Sequence, residues 1–305
     1  MRRVLAITAV TLLVAALFAG TALAATKTIG VTLLTREHQF YRDLEAGMRE
    51  AARQLGFELI IVSGEFDLAR QAAQIEDFIS RKVDAIVVCP VDSRGIGSSI
   101  VEANKAGIPV FTADIANLSG QGKVVSHIAS DNVEGGRQAA RLMVEALQKA
   151  GKKEAKIVII NHPGITSVLD RVKGFREVMA QYPQYRILAD VPGWGQRDKA
   201  MAVMEDILVR LPDVDGVFGI NDDSALGALA AIEAAGKAGQ IIIVGYDATP
   251  EAKAAIEAGK IYGDAIQYPD KIGRLTIETI GRYFRGEQVP EVIPVEVGQY
   301  KKGSK

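Results

Sequence analysis

Short and almost continuous apolar runs alternate along the chain with longer amphipathic segments. The clearest runs are Ile29 to Leu34, Ala85 to Cys89, Lys156 to Ile160 and Ile241 to Val244. Uninterrupted apolar runs of this length are typical of parallel strands that are covered by helices on both faces. The pattern therefore predicts an α/β protein with doubly wound parallel sheets.

The first amphipathic segment has the spacing of a helix. Apolar residues recur every three or four positions from Phe40 to Leu55, which places them on one face. Gly56 follows directly, and glycine is the residue that most often ends a helix. We therefore predict a helix between the first two strands that ends at this glycine.

Two segments of the first half of the chain recur in the second half. Residues 78–87 and residues 207–218 both contain a helix end, a turn and a strand. Residues 107–114 and residues 240–247 are both apolar strands that end on an aspartate. The repetition predicts two similar lobes, each built on its own sheet.

The repeated strand ends place Asp114 and Asp247 in equivalent positions of the two lobes. Ligands of open α/β sheets bind beyond the carboxyl ends of strands, so the two carboxylates are candidates to face each other across a cleft. A cap for a turn or a helix is an equally good interpretation of each aspartate. Spacing alone leaves both interpretations open.

The beginning of the chain has the pattern of an export signal. Arg2 and Arg3 precede an uncharged apolar run over residues 4–18, and small residues follow up to Ala24. The pattern predicts a signal peptide over residues 1–24 that is cleaved after Ala24. A membrane anchor is the alternative, but the apolar run is short and its end suits a peptidase better.

Composition narrows the location and the partners. The net charge of -1 and the pI near 6.4 show no electrostatic footprint for nucleic acid. Cys89 is the only cysteine, so the chain has no intrachain disulfide and no thiol at the cleavage point for a lipid anchor. We therefore expect a soluble periplasmic protein that is not a lipoprotein.

The motifs of common enzymes are missing. The sequence has no Gly-x-Ser-x-Gly elbow and no Gly-Lys-Ser/Thr phosphate loop, and the glycines around Trp194 lack the spacing of a dinucleotide site. His38, His127 and His162 share no metal-ligand spacing. Cys89 is interpreted as a small buried hydrophobe rather than a nucleophile. We expect no enzyme activity, no metal and no cofactor.

Three motifs taken together carry a family resemblance. Val125 to Asn132, Asn221 to Leu229 and Gly245 to Pro250 resemble the periplasmic ribose-binding protein family, in consistent order over essentially the whole mature chain. The resemblance implies two similar doubly wound lobes, a hinge of three segments and a ligand cleft between the lobes. The implied lobes are residues 25–130 plus 268–297 and residues 131–267 plus 298–305.

The resemblance also implies a function. Members of this family capture a small sugar and deliver it to the membrane permease of an ABC importer. The expected ligand is a ribose-like pentose, a hexose, a deoxy sugar or a polyol, and the expected protein is a monomer with a chemoreceptor as an optional second partner. The alternative is the effector domain of a sugar-responsive transcription regulator. That alternative requires an N-terminal helix-turn-helix and a basic face, whereas this chain begins with a signal peptide.

Sugar sites combine aromatic planes against C–H faces with charged or amide groups that bind hydroxyls. The resemblance implies both kinds, with Trp194 contributed by the second lobe and stacked on the ligand. The implied aromatic contacts are Phe40, Tyr41, Trp194 and Tyr246, and the implied polar contacts are Asp114, Arg171, Asn221, Asp247 and Gln267. Core packing is the alternative for Phe40, and a helix cap is the alternative for Asn221.

Three positions depart from the family pattern. His38 and Cys89, which the resemblance also implies as ligand-binding positions, stand where ribose-binding relatives carry asparagines, and Ile115 stands where they carry an arginine. Loss of a buried partner costs about 1 to 3 kcal/mol for a ligand that still presents its hydroxyls there. The site therefore suits a ligand of different shape or with fewer hydroxyls. His38 is a candidate hydrogen-bond donor or a solvated loop residue.

Overall fold

A computed structural model of the chain describes residues 26–304, so the predicted signal peptide lies outside the described residues. The strands are β1 (Thr28–Leu33), β2 (Glu58–Ser63), β3 (Ala85–Val88), β4 (Val110–Ala113), β5 (Val124–Ser130), β6 (Ala155–Asn161), β7 (Tyr185–Pro192), β8 (Gly216–Gly219), β9 (Ile242–Asp247), β10 (Gly263–Ile266), β11 (Val292–Val295) and β12 (Gly298–Lys301). The helices are α1 (Gln39–Leu55), α2 (Leu68–Ser80), α3 (Gly97–Lys105), α4 (Asn132–Lys149), α5 (Thr166–Met179), α6 (Arg197–Arg210), α7 (Asp222–Ala234), α8 (Pro250–Glu257) and α9 (Pro269–Phe284).

The strands form two sheets of six. The first sheet has the order β11-β5-β4-β3-β1-β2, and the second has the order β12-β10-β9-β8-β6-β7. All pairs are parallel except β10 with β12, which is antiparallel. The prediction of two doubly wound lobes is confirmed. None of the helices between residues 26 and 304 is both long enough and apolar enough to cross a membrane.

Helix α1 follows its sequence pattern closely. Phe40, Leu44 and Met48 are buried on the face that covers the first sheet. Gly56 ends the helix with φ of 70°, and its N–H donates to the carbonyl of Ala52. That left-handed conformation is open to glycine without the cost that a Cβ would add, so the predicted helix end is confirmed.

The two lobes repeat a structural bond as well as a topology. Asp84, which precedes β3, accepts a hydrogen bond from the backbone N–H of Thr28 at 2.8 Å. Asp215, which precedes β8, accepts the same bond from the backbone N–H of Lys156 at 2.8 Å. Each aspartate thus ties the start of its strand to the neighbouring strand, in the part of each lobe where the sequences resemble each other.

Both lobes also contain helices in backbone contact, among them α1 with α9 and α4 with α5. A Cβ on Gly273 of α9 would lie 2.1 Å from the carbonyl oxygen of Leu44 in α1. A Cβ on Gly174 of α5 would lie 1.9 Å from the carbonyl oxygen of Val133 in α4. These contacts are shorter than any side chain allows, so glycine fixes the distance between the helices of each pair.

The chain passes from one sheet to the other at three places. These places lie between β5 and α4, between β10 and α9, and between β11 and β12. Direct contacts also join the two sides: Ser93 N–H donates to Gly164 O at 3.2 Å, and Ala116 N–H donates to Thr166 Oγ1 at 2.8 Å. The lobes are therefore in contact in this conformation, and a cavity lies between them.

Candidate functional site

The cavity between the lobes is open in part to solvent. Its wall combines residues that follow the carboxyl ends of strands in both sheets with residues from α1 and α5. The lining residues are Leu34, His38, Phe40, Tyr41, Phe66, Asp114, Ile115, His162, Ile165, Ser167, Val168, Arg171, Gly195, Ile220, Asn221, Asp247 and Gln267. Eight of the eleven predicted site residues belong to this wall.

Arg171 is the central charge of the cavity and is only 5% exposed. Its Nε donates to Asn132 Oδ1 at 2.9 Å, and its Nη1 donates to the carbonyl of Ile220 at 2.9 Å. The guanidinium also lies 3.9 Å from the ring centre of Tyr246 and, through Nη1, 3.9 Å from Asp247 Oδ1. These contacts fix the plane of the guanidinium before any ligand arrives.

Asp114 contributes a carboxylate from the first lobe. Its Oδ2 accepts a hydrogen bond from the Tyr41 hydroxyl at 2.6 Å, while its buried Oδ1 has no hydrogen-bond partner among the described residues. Burial raises the pKa of Asp114, and the charge of Arg171 and the bond from Tyr41 oppose that rise. One oxygen is therefore oriented and the other is available to a ligand hydroxyl.

Asp247 and Gln267 form the corresponding pair in the second lobe. Gln267 Nε2 donates to Asp247 Oδ1 at 2.6 Å, and the buried Oε1 of Gln267 has no hydrogen-bond partner among the described residues. Burial raises the pKa of Asp247 well above its usual range, and Arg171 opposes that effect. Asp114 and Asp247 thus line one cavity, which is one of the two interpretations that the repeated strand ends left open.

Asn221 caps a helix and also lines the cavity, while ligand contact stays a prediction. It is the N-cap of α7, where its Oδ1 accepts from the backbone N–H of Ser224 at 2.9 Å. Its Nδ2 donates to the carbonyl of Gly195 at 3.0 Å, and the residue lines the cavity. The cap therefore anchors the loop that carries Gly195 to the rim of the cavity.

Phe40 and Tyr41 form an aromatic corner on the first lobe. Their rings meet edge to face at 5.1 Å, and both side chains are buried while lining the cavity. Phe66 adds a third aromatic ring that sequence reasoning missed, although it follows the end of β2. The same signal, a residue beyond the carboxyl end of a strand, would have found His162 after β6.

Three predicted contacts lie outside the wall. Cys89 and Tyr246 are both completely buried, Cys89 at the end of β3 and Tyr246 against the guanidinium of Arg171, and ligand contact by either residue stays a prediction. Trp194 is 42% exposed although the lobes are in contact, and its ring meets His162 edge to face at 5.7 Å. The expectation that closure on a ligand buries Trp194 stays a prediction, and in the present conformation the side chain lies beside the cavity wall rather than in it.

Positive backbone φ angles concentrate around the cavity. Outside glycine, residues of the described chain rarely adopt this conformation, which costs about 1 to 3 kcal/mol and tends to occur at functional sites. The non-glycine residues with a positive φ are Glu65, Phe66, Lys82, Asp114, Trp194, Asp247 and Ala248. All of them except Lys82 line the cavity or are next in sequence to a residue that lines it. The folded chain thus tolerates backbone strain at residues that line or adjoin the cavity between the lobes.

A second buried carboxyl pair, Asp222 and Asp264, lies beneath the cavity in the second lobe. Asp264 is completely buried, and neither of its oxygens has a donor among the described residues. Burial raises the pKa of Asp264 to about 7 and raises that of Asp222 well above its usual range. The charge of Asp264 adds to the rise at Asp222, whereas a hydrogen bond with Asp222 opposes the rise at Asp264. A proton held between the two side chains satisfies both.

Replacing Asp264 with asparagine should stabilise the protein at alkaline pH. The folded protein binds a proton that the unfolded chain releases near pH 3.8, so the stability from this pair is lost as pH rises through about 7. We expect the Asp264→Asn protein to melt above the wild type at pH 8 and to show a smaller fall in melting temperature between pH 5 and pH 8. Asp206→Asn, on the exposed face of α6, is the control. An equal fall in melting temperature between pH 5 and pH 8 in the wild type and both variants would contradict a proton shared by Asp222 and Asp264.

Comparison with known proteins identifies the class. Residues 29–288 match the family model described as periplasmic binding protein domain. The chain is 34% identical over 270 residues to the ribose import binding protein RbsB of Escherichia coli, covering 88% of this chain and 89% of that protein. It is 33% identical over 245 residues to the xylitol-binding protein of Mycolicibacterium smegmatis, covering 79% of this chain and 68% of that protein.

A solved structure shares the whole architecture. The ABC transporter solute-binding protein of Agrobacterium vitis, bound with alpha-D-tagatopyranose, superposes with a TM-score of 0.85 at 28% identity, over 91% of this chain and 95% of that one. Two similar α/β lobes around an interlobe cavity define a bilobal solute-binding protein. The chain belongs to the periplasmic binding protein family, and within it to the group that resembles the ribose import binding proteins.

Proposed function

We propose that this protein captures a small uncharged sugar or polyol between its lobes and delivers it to the membrane permease of an ABC importer. The observation that carries the proposal is the buried Arg171 between carboxylates of the two lobes, with Asp114 Oδ1 and Gln267 Oε1 left as acceptors. A guanidinium donates hydrogen bonds to hydroxyl oxygens, and a carboxylate accepts hydrogen bonds from hydroxyl protons. A cavity that contains both groups can therefore bind a hydroxyl group as acceptor and as donor at the same time.

The charge balance of the cavity supports an uncharged ligand. Arg171 compensates the carboxylates that surround it, so an anionic ligand would face Asp114 and Asp247, and a cationic ligand would face Arg171. Either mismatch would leave a buried charge without a partner, which is more costly than the loss of one neutral hydrogen bond. Hydroxyl groups avoid this cost because each one both donates and accepts.

The apolar part of the wall supports a ligand with fewer hydroxyls than ribose. Ile115 is buried and lines the cavity at the position where the resemblance expects an arginine. Aliphatic side chains from both lobes continue this surface: Leu34, Ile115, Ile165, Val168 and Ile220. The proposed ligand is a pentose, a hexose, a deoxy sugar or a polyol that turns a C–H face to this surface, in line with the ribose, xylitol and tagatopyranose that relatives are named for or hold.

The three crossings between the sheets are the proposed hinge. The proposed lobe boundaries are those predicted from the sequence, with residues 25–130 plus 268–297 in the first lobe and residues 131–267 plus 298–305 in the second. Slender crossings of this kind permit rigid-body opening. We further propose that the exported protein is a monomer without a lipid anchor, that it has no enzyme activity, and that a chemoreceptor is its second partner.

A thermal-shift panel tests the proposed ligand class. Purified protein is melted with D-ribose, D-allose, D-tagatose, a deoxy hexose, xylitol and glycerol, and with amino acids as the contrasting class. A ligand at about 100 times its dissociation constant stabilises the folded state by about 2.7 kcal/mol. We expect one or a few polyhydroxylated compounds to raise the melting temperature by several degrees.

The opposite results are equally clear. A rise with amino acids and none with sugars or polyols would overturn the sugar assignment while leaving the family intact. Mass spectrometry of the recovered sugar distinguishes capture from turnover, because a binding protein returns its ligand unchanged. Conversion of any panel sugar would overturn the proposal that the protein is not an enzyme.

A further inference from the structure

Two histidines from opposite lobes line the same cavity, and only one of them was singled out from the sequence. His38 is the residue before α1 in the first lobe, and His162 directly follows β6 in the second. Both are half-buried, so their rings lie at the boundary between the cavity and solvent. The two positions meet only when the lobes are in contact.

The ring nitrogens of these two histidines are free for a ligand. Among residues 26–304, no side-chain hydrogen bond uses a ring nitrogen of His38 or His162, and His38 Nε2 lies 3.7 Å from Asp223 Oδ2, beyond hydrogen-bond distance. His127, the third histidine, differs because its Nδ1 lies 2.9 Å from Thr112 Oγ1 within the first sheet. Of the three histidines, only His38 and His162 therefore line the cavity with ring nitrogens that have no hydrogen-bond partner among the described residues.

The surroundings keep both imidazoles neutral when the lobes are together. Burial lowers the pKa of His38 despite the opposing charge of Asp223, and burial together with the charge of His38 lowers the pKa of His162 to about 4. The charged and titratable groups that face the pair are Glu37, Arg42, Glu65 and Asp223 around His38, and Asp92 and Lys199 around His162. A neutral ring has one donor and one acceptor, which matches a hydroxyl group.

We propose that His38 and His162 are neutral specificity residues that bind ligand hydroxyls across the lobe boundary, and that closure on the ligand expels their protons. This inference rests on the proposed function and adds a regulation to that same site. Capture is then strongest at neutral and alkaline pH and weakens in acid, where both rings would carry like charges in a closed cavity.

The direction and size of the effect follow from proton linkage. In an open and wet cleft a histidine titrates near its usual pKa of 6.5, whereas in the closed cavity the pKa of His162 is about 4. Acid therefore favours the open state, and affinity falls as pH drops below 6.5. Between pH 7.5 and pH 5.0, His162 alone should weaken binding by about 30-fold, and His38 adds to this loss.

The cavity carboxylates act in the opposite direction, so the test must separate them. Closure raises the pKa of Asp114 and Asp247 and favours their protonation, which would strengthen binding in acid. Substitution of the histidines removes only the imidazole contribution and leaves the carboxylates in place. The test therefore compares the ratio of the dissociation constants at pH 5.0 and pH 7.5 between the wild type and the histidine variants.

The experiment is calorimetric titration with D-ribose, xylitol and D-tagatose at both pH values. It uses the wild type, His38→Asn, His162→Asn and the double variant, with His127→Asn as a histidine control outside the cavity. We expect the pH ratio of the double variant to be at least tenfold smaller than that of the wild type and the control. Histidine-ring NMR of the sugar-bound wild type should show that the His162 imidazole stays neutral at pH 5.

The outcomes distinguish this inference from the function on which it rests. If a probe binds the wild type and the double variant keeps the same pH ratio, the histidine inference is overturned and the sugar-binding function stands. If none of the three probes binds at pH 7.5, both proposals fall together. Loss of the pH ratio in His127→Asn would also overturn the inference, because that ring does not line the cavity.

Discussion

Replacing Arg171 with methionine should weaken sugar capture by at least about a hundredfold, because the substitution breaks a buried charge network and leaves its carboxylates without a cation. The guanidinium contacts Asn132, Ile220, Tyr246 and Asp247. None of these residues carries a positive charge, so none of them can replace the guanidinium. Calorimetric titration with the sugar that gives the largest thermal shift measures the effect. Methionine keeps most of the side-chain volume in α5, which limits the loss of packing.

Two further variants of the same helix make the result specific. Arg176→Met removes an exposed arginine that pairs with Asp190 at 2.7 Å, and it should leave affinity unchanged. Arg171→Lys keeps the charge but loses the planar fork, so we expect a smaller but clear loss of about tenfold. Binding by Arg171→Met within threefold of the wild type, with an intact melting transition, would remove Arg171 from the site.

Gly273→Ala should strongly destabilise the first lobe. Its Cβ would lie 2.1 Å from the carbonyl oxygen of Leu44 and 2.9 Å from the backbone nitrogen of Met48. Backbone atoms of a packed helix cannot rotate away, so α1 and α9 must separate. We expect a loss of about 3 kcal/mol in the free energy of unfolding, measured by urea denaturation.

Gly281→Ala is the matched control in the same helix. There the new Cβ would approach only the end of the flexible Leu55 side chain, at 3.2 Å, and alanine gains about 1 kcal/mol of helix propensity over glycine. This variant should be neutral or slightly more stable than the wild type. Equal stability of the two variants would show that the spacing of α1 and α9 does not depend on a missing side chain.

The architecture was largely accessible from the sequence because burial leaves a strong periodic signal. Continuous apolar runs gave the parallel strands, and the repeated segments before Asp114 and Asp247 gave two sheets. The antiparallel edge strand β12 was not predicted, since Gly298 to Lys301 has neither the length nor the apolar pattern of the inner strands. An edge strand is not buried on both faces, so its sequence shows a weaker apolar pattern than that of an inner strand.

The site was accessible only in part because strand ends can be located but side-chain directions cannot. Asp114 and Asp247 followed from the carboxyl ends of strands, whereas Arg171 and Gln267 came from the family resemblance alone. Phe66 and His162 obey the same strand-end rule but lack a repeated partner that would single them out. Trp194 was assigned to the site by the resemblance alone, and its positive φ of 57° is a backbone feature that composition does not reveal.

The contact between α1 and α9 also imposes an order of assembly. Helix α1 is the first helix of the described chain and α9 is the last, yet they pack through backbone contact. The second sheet takes its strands from one continuous stretch apart from β12, whereas the first sheet needs β11 and the cover of α9 from the far end of the chain. Contacts between distant segments form late because their loops are costly to close. The lobe that is synthesised first is therefore completed last, and a chain truncated before Pro269 would expose the apolar stripe of α1 to solvent and aggregation.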